Sequence, residues 1–242
     1  MTVRIGFVGV PGAGKTSTAR MLAGTCRRIE SFKRVELIAE YARRYIYKYG
    51  GEGVDLSDQY KIMEKQLDWE SSVPPETDLI ITDSPVHLGF MYALELTKHN
   101  VKDTMYLNDI FKRLNKLNCP EPRYDVIFHL PPVLKPIDDG IRQQEQFEQG
   151  WREKADWRIQ YVFDLFPPRH FITIKSIGMN DRVEECLQIL EGIYVTAGNS
   201  AKVPPQHGSN CSELSTACPQ CVAYYHQFIK SYTGPIARYG AL

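Results

Sequence analysis

The sequence has no excess of charge of either sign, since 29 Lys and Arg residues balance 29 Asp and Glu residues over 242 positions. A protein that attracts nucleic acid or an anionic membrane through its overall field needs a net positive charge. Any binding of that kind would therefore have to be local. Hydrophobic residues make up 43% of the chain and charged residues 24%, which is enough apolar material for a sizeable core and excludes a disordered chain.

Long hydrophobic runs are also missing. The longest ones, Leu79 to Thr82 and Val126 to Leu130, have the length of strands, whereas a membrane-spanning helix needs about 20 apolar residues. Met1 leads directly into the apolar segment from Val3 to Val8, without a basic stretch followed by a long apolar one. We therefore expect no membrane partner, no signal peptide and a cytoplasmic location.

Disulfide bonds are not expected, because no secretory signal accompanies the six cysteines. Cys26, Cys119 and Cys186 are scattered through regular segments and are predicted to be buried or half-buried thiols. The other three cysteines cluster near the C-terminus and are considered below.

Strand and helix patterns alternate along most of the chain, which predicts an α/β fold with a parallel sheet covered on both faces. The pattern stops near Val195, so we predict a folded domain over 1–195 and a separate Cys- and Tyr-rich extension over 196–242. Strands are predicted at 3–10, 35–40, 78–83, 124–130 and 171–175, and helices at 15–26, from a Ser57 cap to Pro74, and at 86–98, 103–117, 144–165 and 183–190.

The segment from Gly9 to Thr16 reads GVPGAGKT and matches the phosphate-binding pattern G-x-x-x-x-G-K-[ST] between a predicted strand and a predicted helix. Its glycines let backbone N–H groups turn inward around phosphate oxygens, and the helix presents its positive end to them. Lys15 is expected to reach the β- and γ-phosphates of ATP, and Thr16 to bind Mg²⁺. The nucleotide-binding residues predicted here are Gly9, Pro11, Gly12, Ala13, Gly14, Lys15, Thr16 and Ser17.

Two carboxylates follow neighbouring predicted strands. Asp83 ends the third strand, where a parallel sheet directs its strand ends at the nucleotide, and is predicted to hold Mg²⁺ together with Thr16. The alternative is a helix-capping aspartate. Glu40 ends the second strand, beside the phosphate loop, and could accept the proton of an attacking hydroxyl. The alternative for Glu40 is a surface ion pair with Arg43 or Arg44.

Arginine and lysine residues surround the break after the fourth strand. Arg142 follows a tight Asp139-Gly140 turn and is the member of this group predicted to close over the triphosphate and stabilise the moving phosphoryl group. Arg152, Lys154 and Arg158 are equally well explained as solvated charges on a helix.

These motifs together resemble the P-loop kinases related to the bacterial ribosylnicotinamide kinase domain, a group that includes many phage-encoded proteins. The resemblance covers about residues 1–192 and implies a P-loop NTPase three-layer fold with a five-stranded, mainly parallel sheet. It also implies transfer of the ATP γ-phosphate, with Mg²⁺, to a nucleoside- or nucleotide-like small molecule, in the host cytoplasm if the protein is phage-encoded. The motifs are the phosphate loop, Glu40-Tyr41-Ala42-Arg43, Asp83-Ser84-Pro85 and Asp139-Gly140-Ile141-Arg142.

The roles of Glu40 and Asp83 stay open at this point. By similarity to deoxyribonucleoside kinases, Glu40 would be the base and Asp83 would attend Mg²⁺. This chain has Asp83-Ser84-Pro85 where those kinases have Glu-Arg-Ser, so either carboxylate could be the base. The absence of a second acid after Asp83 favours a kinase over a nucleotide-dependent ATPase or switch, which remains an alternative function.

The C-terminal extension contains a C-x-x-C pair, Cys218 and Cys221, preceded by Cys211. With His207 or His226 these cysteines could supply four tetrahedral ligands to Zn²⁺, although incidental thiols explain them as well. The extension also mixes tyrosines with Lys230 and Arg238, a composition that suits single-stranded nucleic acid but equally suits packing on the core or on a second subunit. Since some phage relatives phosphorylate a hydroxymethylated pyrimidine in DNA, DNA is an alternative acceptor.

Overall fold

The structure is a computed structural model, and it describes residues 2–29, 32–50, 54–97, 100–135, 146 and 148–197, with side chains only to 193 in the last segment. The elements are β1 (Val3–Val8), α1 (Lys15–Cys26), β2 (Val35–Ile38), α2 (Tyr41–Tyr49), α3 (Leu56–Ser71), β3 (Leu79–Asp83), α4 (Leu88–Leu96), α5 (Val101–Leu117), β4 (Val126–His129), α6 (Gln149–Leu165), β5 (His170–Thr173) and α7 (Met179–Ala197).

The five strands form one parallel sheet in the order β2-β3-β1-β4-β5. Phe7 in β1 pairs with Asp83 in β3, and Val8 pairs with His129 in β4. The carboxyl ends of these three central strands therefore lie side by side at one edge of the sheet. The α/β prediction and the five-stranded parallel sheet are confirmed.

Helices cover both faces of the sheet because successive crossovers run in opposite directions. The β1-to-β2 connection, through α1, runs toward one edge, whereas the β3-to-β4 connection, through α4 and α5, runs toward the other. Since such crossovers are right-handed, α1 lies on one face and α4 and α5 on the opposite face. α1 also contacts α7, and α4 contacts α3 and α6. All residues of β3 and β4 are buried, as continuous apolar runs predict.

Gly6 leaves room for the chain that follows β3. A Cβ atom added at this position would overlap Cγ of Pro85 and lie 2.8 Å from Cδ1 of Ile127. Pro85 therefore packs over the middle of β1, which turns the chain back across the sheet directly after Asp83.

Replacing Gly6 with alanine is expected to lower the free energy of unfolding by about 2 kcal/mol, because the added methyl group displaces Pro85 or Ile127 from a packed core. Gly24 provides the control, since a Cβ atom there meets nothing within 4 Å. Gly24→Ala in the last turn of α1 should instead raise the free energy of unfolding by about 0.5 kcal/mol. Urea denaturation of both variants checks this, and equal effects at the two positions would contradict it.

A buried polar network lies beneath this turn. Arg123 donates two hydrogen bonds to the Glu70 carboxylate, at 2.8 and 3.0 Å. The Tyr124 hydroxyl donates to the same carboxylate and accepts a hydrogen bond of 3.1 Å from the N–H of Val86. Burial raises the pKa of Glu70 even though Arg123 opposes this. The network links α3 to the start of β4 and to the segment after Asp83.

His87 is fully buried beside this network. Its imidazole packs against the rings of Tyr124, Phe163 and Phe166, with centroids 5.4–5.6 Å away. Neither ring nitrogen has a hydrogen-bond partner in the described ranges. Burial, together with the positive charge of Arg123, lowers the pKa of His87 to about 3. The imidazole is therefore neutral in the folded protein at neutral pH.

Several local predictions need correction. α2 was not expected, because aromatic residues at four of its nine positions favour a strand or a loop. None of its residues is buried. The cap of α3 is Asp55 rather than Ser57, since the Asp55 carboxylate accepts from the N–H of Asp58. The strands are shorter than predicted, and α7 begins earlier and continues further than the predicted last helix.

Cys26 and Cys186 are buried and Cys119 is half-buried, all as free thiols, as predicted. Burial raises the pKa of Cys26 to about 11 and that of Cys186 to about 12. Both thiols are therefore protonated at neutral pH and poor nucleophiles. Through the described ranges, each helix is too short or too polar to cross a membrane.

Candidate active site

The loop from Gly9 to Gly14 connects β1 to α1 and leaves the first turn of α1 open to a ligand. Gly14 is the N-cap of α1, with φ +93°, and provides no capping side chain. Gly12 also has a positive φ, +75°, so both positions adopt a conformation that residues with a Cβ atom rarely take. The first turn of α1 contains no acidic residue. Its N–H groups and positive helix end are thus available to an anion.

Lys15 lies across this loop. It is only 7% exposed, and its Nζ donates hydrogen bonds to the carbonyl oxygens of Gly9, at 2.8 Å, and Val10, at 3.2 Å. The positive charge is therefore held at the loop that is predicted to bind phosphate. A buried ammonium group at a helix N-terminus attracts the negative charge of a phosphate chain.

The other predicted nucleotide-binding residues surround the same helix start. Ser17 is exposed and Thr16 half-buried, whereas Pro11 and Ala13 are buried. The next residue, Thr18, is fully buried, and its hydroxyl bonds the carbonyl oxygen of Gly14 at 3.0 Å. Thr18 therefore supports the loop from within.

Asp83 lies directly beside this loop, at the end of β3. The Thr16 hydroxyl hydrogen-bonds its carboxylate, and the charges of Lys15 and Arg43 act on it. Burial raises the pKa of Asp83, and the negative charge of Glu40 raises it further, against the effects of Thr16, Lys15 and Arg43. Asp83 does not cap a helix, since α4 begins only at Leu88 with His87 as its N-cap.

The backbone next to Asp83 is strained. Ser84 has φ +78°, the one positive φ of a described non-glycine residue, and this conformation costs about 1–2 kcal/mol for an L-residue. Ser84 is 7% exposed, and its hydroxyl has no hydrogen-bond partner among the described residues. A strained conformation of this kind persists only where the surrounding packing holds it. At Ser84 this conformation sets the direction in which the chain leaves Asp83.

Glu40 follows β2 and is the N-cap of α2, but its side chain does not cap the helix. Its carboxylate is 11% exposed and lies 3.6 Å from Nε of Arg43. The ion pair considered as an alternative is thus present, and the charge of Glu40 also acts on Asp83. One prediction was inaccurate: β3 lies between β2 and β1, so the strand next to the phosphate-loop strand is the one that ends in Asp83.

The residues gathered here fit a hydrated Mg²⁺ ion. Oδ1 of Asp83 is buried and accepts no hydrogen bond from the residues that the structure describes, which is costly for a carboxylate oxygen unless a cation or water completes its environment. The Thr16 hydroxyl would supply a second oxygen. Mg²⁺ is usually held by one or two protein oxygens together with phosphates and water. No group of three or more His, Cys, Asp or Glu side chains that could hold a metal occurs in the part of the chain that the structure describes.

Arg152 is a residue that the sequence did not distinguish from its neighbours. It lies in the first turn of α6, which ends at Leu165 shortly before β5 begins at His170. The first turn of α6 must therefore lie near the carboxyl edge of the sheet. Asp156, one turn further along, confirms this with a 2.8 Å contact to His129 at the end of β4.

Arg152 is 6% exposed, and its Nε and Nη2 have no hydrogen-bond partner among the residues that the structure describes. Burial lowers the pKa of Arg152, whereas Asp156 raises it. Lys154 is exposed, and Arg158 forms an ion pair with Glu95. The solvated-helix interpretation therefore holds for Lys154 but not for Arg152.

Two groups of predicted site residues lie outside the described residues. One is Arg142 with the Asp139-Gly140 turn. The other is the predicted zinc ligand set, Cys211, Cys218, Cys221, His207 and His226. Both remain predictions from the sequence.

The sheet order, the loop and the carboxylate at the end of β3 define a P-loop nucleotide-binding fold. A family model described as "AAA domain" matches residues 4–166, and the chain belongs to this family. A comparison of the sequence with curated proteins finds no match.

Solved structures with the same fold include NadR protein in complex with NR, at 19% identity and TM-score 0.63, which covers 84% of this chain and 54% of that one. NadR protein in complex with NAD and AMP-PNP matches at 17% identity and TM-score 0.57, covering 83% and 51%. Thymidylate kinase from Candida albicans matches at 15% identity and TM-score 0.51, covering 80% and 92%. This chain thus spans about half the length of the NadR chains. The resemblance to P-loop kinases related to the ribosylnicotinamide kinase domain is confirmed at the level of the fold.

Proposed function

We propose that this protein is a Mg²⁺- and ATP-dependent kinase that transfers the γ-phosphate to a nucleoside- or nucleotide-like small molecule. The observation that carries the proposal is the pairing of Glu40 and Asp83, two carboxylates close enough to affect each other, beside the Thr16 hydroxyl and the Lys15 ammonium. The fold shared with NadR and thymidylate kinase supports it. No acid directly follows Asp83 to activate water, which favours transfer to an acceptor over hydrolysis.

The proposed division of labour follows from burial and contacts. Asp83, bonded to Thr16, would hold Mg²⁺, and this ion would neutralise charge on the transferred phosphoryl group. Lys15 and the N–H groups of α1 would bind the phosphates. Glu40, held beside Arg43 at the end of β2, would accept the proton of the acceptor hydroxyl as the oxygen attacks phosphorus.

Arg152 is proposed as a binding group for the phosphate chain. A buried guanidinium with two unpartnered nitrogens is costly unless an anion approaches it. Its position at the carboxyl edge of the sheet supports an anion bound on the same side as the loop and Asp83. Arg142, which lies outside the described residues, is proposed for the same task from the sequence.

The test of the proposed function is a transfer assay with γ-labelled ATP and Mg²⁺. The acceptors are nucleosides, nucleoside monophosphates, nicotinamide riboside and DNA that contains hydroxymethyluracil, and Lys15→Ala is the control. Label in one small acceptor, lost in the control, supports the proposal and identifies the substrate. Label only in DNA would replace it with the DNA kinase alternative, and label released only as phosphate would replace it with the ATPase alternative.

Replacing Arg152 with methionine is expected to lower kcat/KM for the acceptor about a hundredfold, because a charged donor to the transferring phosphate is lost. The protein should stay folded, since methionine fills much of the same volume without a buried charge. Lys154→Met is the matched control on the exposed face of the same turn and should leave kcat/KM unchanged. Similar losses in both variants, measured under single-turnover conditions, would contradict a specific role for Arg152.

A further inference from the structure

Arg182 in the first turns of α7 is buried against the back of the phosphate loop. It is 1% exposed, and its Nη1 donates a hydrogen bond of 2.8 Å to the carbonyl oxygen of Ala13. Its Nε donates one of 3.0 Å to the carbonyl oxygen of Ser176, in the loop between β5 and α7. One side chain thus joins the phosphate loop to the segment between β5 and α7.

The contact with Ala13 orients a peptide group that matters for phosphate binding. In a trans peptide the carbonyl oxygen and the next N–H point to opposite sides. Holding the Ala13 oxygen toward Arg182 therefore turns the N–H of Gly14 away from Arg182, toward the concave side of the loop. Lys15 acts at different points, the carbonyl oxygens of Gly9 and Val10. Two cations thus hold the loop at three carbonyl groups.

Gly14 is shaped for this contact. A Cβ atom at Gly14 would lie only 2.8 Å from Nη1 of Arg182, so the guanidinium packs directly on the glycine backbone. The glycine is required both for its positive φ and for the space that Arg182 occupies.

The loop that Arg182 holds on its other side is itself fixed. The Glu185 carboxylate accepts hydrogen bonds from the N–H groups of Lys175, at 3.0 Å, and Ser176, at 2.8 Å. Arg182 therefore bonds to a restrained segment. Within the described part of the chain its Nη2 is buried without a hydrogen-bond partner, and a buried charge with incomplete hydrogen bonding adds little to stability. A role in shaping the loop accounts for the burial of this charge better than a role in stability.

We propose that Arg182 is a positioning residue of the phosphate loop, which holds the Ala13–Gly14 peptide so that the Gly14 N–H faces a bound phosphate chain. This inference rests on the proposed ATP-dependent function. It concerns phosphate binding alone, so it can be tested without knowing the acceptor.

The test compares the dissociation constants of ATP and inorganic tripolyphosphate, by calorimetry, for the wild type, Arg182→Gln and Arg182→Lys. Arg182→Gln should weaken both ligands by the same factor, about tenfold, because loss of a charged hydrogen bond frees the peptide. Arg182→Lys keeps the charge but lacks the forked guanidinium that bonds two carbonyl oxygens. We therefore expect it to weaken both ligands by at least threefold, but less than Arg182→Gln does. Arg169→Gln, a change at an arginine that bonds Glu121 and Asp125, should alter neither constant.

Thermal melts accompany the binding measurements. A purely structural role would lower the melting temperature and leave both constants at wild-type values below the transition, which would overturn the proposal. Loss of ATP affinity without loss of tripolyphosphate affinity would also overturn it, since Arg182 would then act on the nucleoside part. If Arg182→Gln does not fold, unchanged binding by Arg182→Lys has the same meaning. The two proposals can fail separately. If Arg182→Gln binds ATP and tripolyphosphate weakly but the wild type phosphorylates no acceptor, the proposed kinase function is refuted and the role of Arg182 in phosphate binding stands.

Discussion

Asp83→Asn is expected to lower phosphotransfer about a thousandfold while the protein remains folded. Asparagine keeps the size of the side chain but offers Mg²⁺ only a neutral oxygen. The expected loss, about 4 kcal/mol of transition-state stabilisation, is the scale on which metal ions act in such sites. The measurement is kcat/KM for the acceptor identified in the transfer assay, at saturating Mg²⁺.

The same substitution should make the protein more stable, by about 1 kcal/mol. In the wild type, burial and the negative charge of Glu40 both disfavour the ionised Asp83, and asparagine removes that charge. Calorimetric melts of the free protein test this. Asp68→Asn, an exposed change in the ion pair with Lys65, should move neither activity nor melting temperature. Retention of more than a tenth of the activity by Asp83→Asn would refute the proposed role of Asp83.

His87 is expected to make the free energy of unfolding depend strongly on pH under acidic conditions. Its pKa is about 3 in the folded protein and about 6.5 in an unfolded chain. Between these values the unfolded chain binds a proton that the folded protein excludes, so His87 makes the folded state less stable as pH falls from 6.5 toward 3. Above pH 6.5 this contribution to the pH dependence disappears.

Replacing His87 with phenylalanine should remove this dependence. The gain of the variant over the wild type should grow by about 1.4 kcal/mol for each pH unit below 6.5, reaching about 2.7 kcal/mol at pH 4.5. The raised pKa values of the Glu70, Asp83 and Asp125 carboxyls act in the opposite direction, but they are present in both proteins and cancel in the difference.

Urea unfolding from pH 4.5 to 7.5 measures the effect. His87→Leu separates the effect of titration from that of packing. Leucine packs against Tyr124, Phe163 and Phe166 differently from phenylalanine, but like phenylalanine it cannot be protonated. Both variants should show the same change in slope with pH, whatever their stability at pH 7.5. A slope equal to that of the wild type in both would show that His87 does not titrate in this range.

The phosphate loop and Asp83 could be predicted from the sequence because both depend on local features. Closely spaced glycines, which adopt positive φ in the structure, predict the loop. A continuous apolar run that ends in a carboxylate predicts both β3 and the position of Asp83 at its end. The Gly9 to Thr16 motif then determines which end of the sheet carries the site. The number of strands follows from the alternating apolar runs.

The rest depends on contacts between residues far apart in the chain. Arg182 bonds Ala13 across 169 positions, and no local pattern marks an arginine for burial. Arg152 shares its helix with exposed charges, so its burial becomes visible only once α6 is placed on the sheet. The position of β3 between β1 and β2 likewise follows from pairing and not from strand composition. α2 was missed because its four tyrosines favour a strand or a loop, and none of its residues is buried.

The exposure of α2 has a consequence for how such a protein can evolve. Lys15 and Asp83 are held by strands and loops of the core, so substitutions around them lower the free energy of unfolding. Glu40 begins a helix that has no buried residue, and substitutions along that helix cost little stability. The part of the site at Glu40, which would receive the acceptor, can thus acquire new specificities by single substitutions. The part at Lys15 and Asp83, which would bind phosphate, stays unchanged.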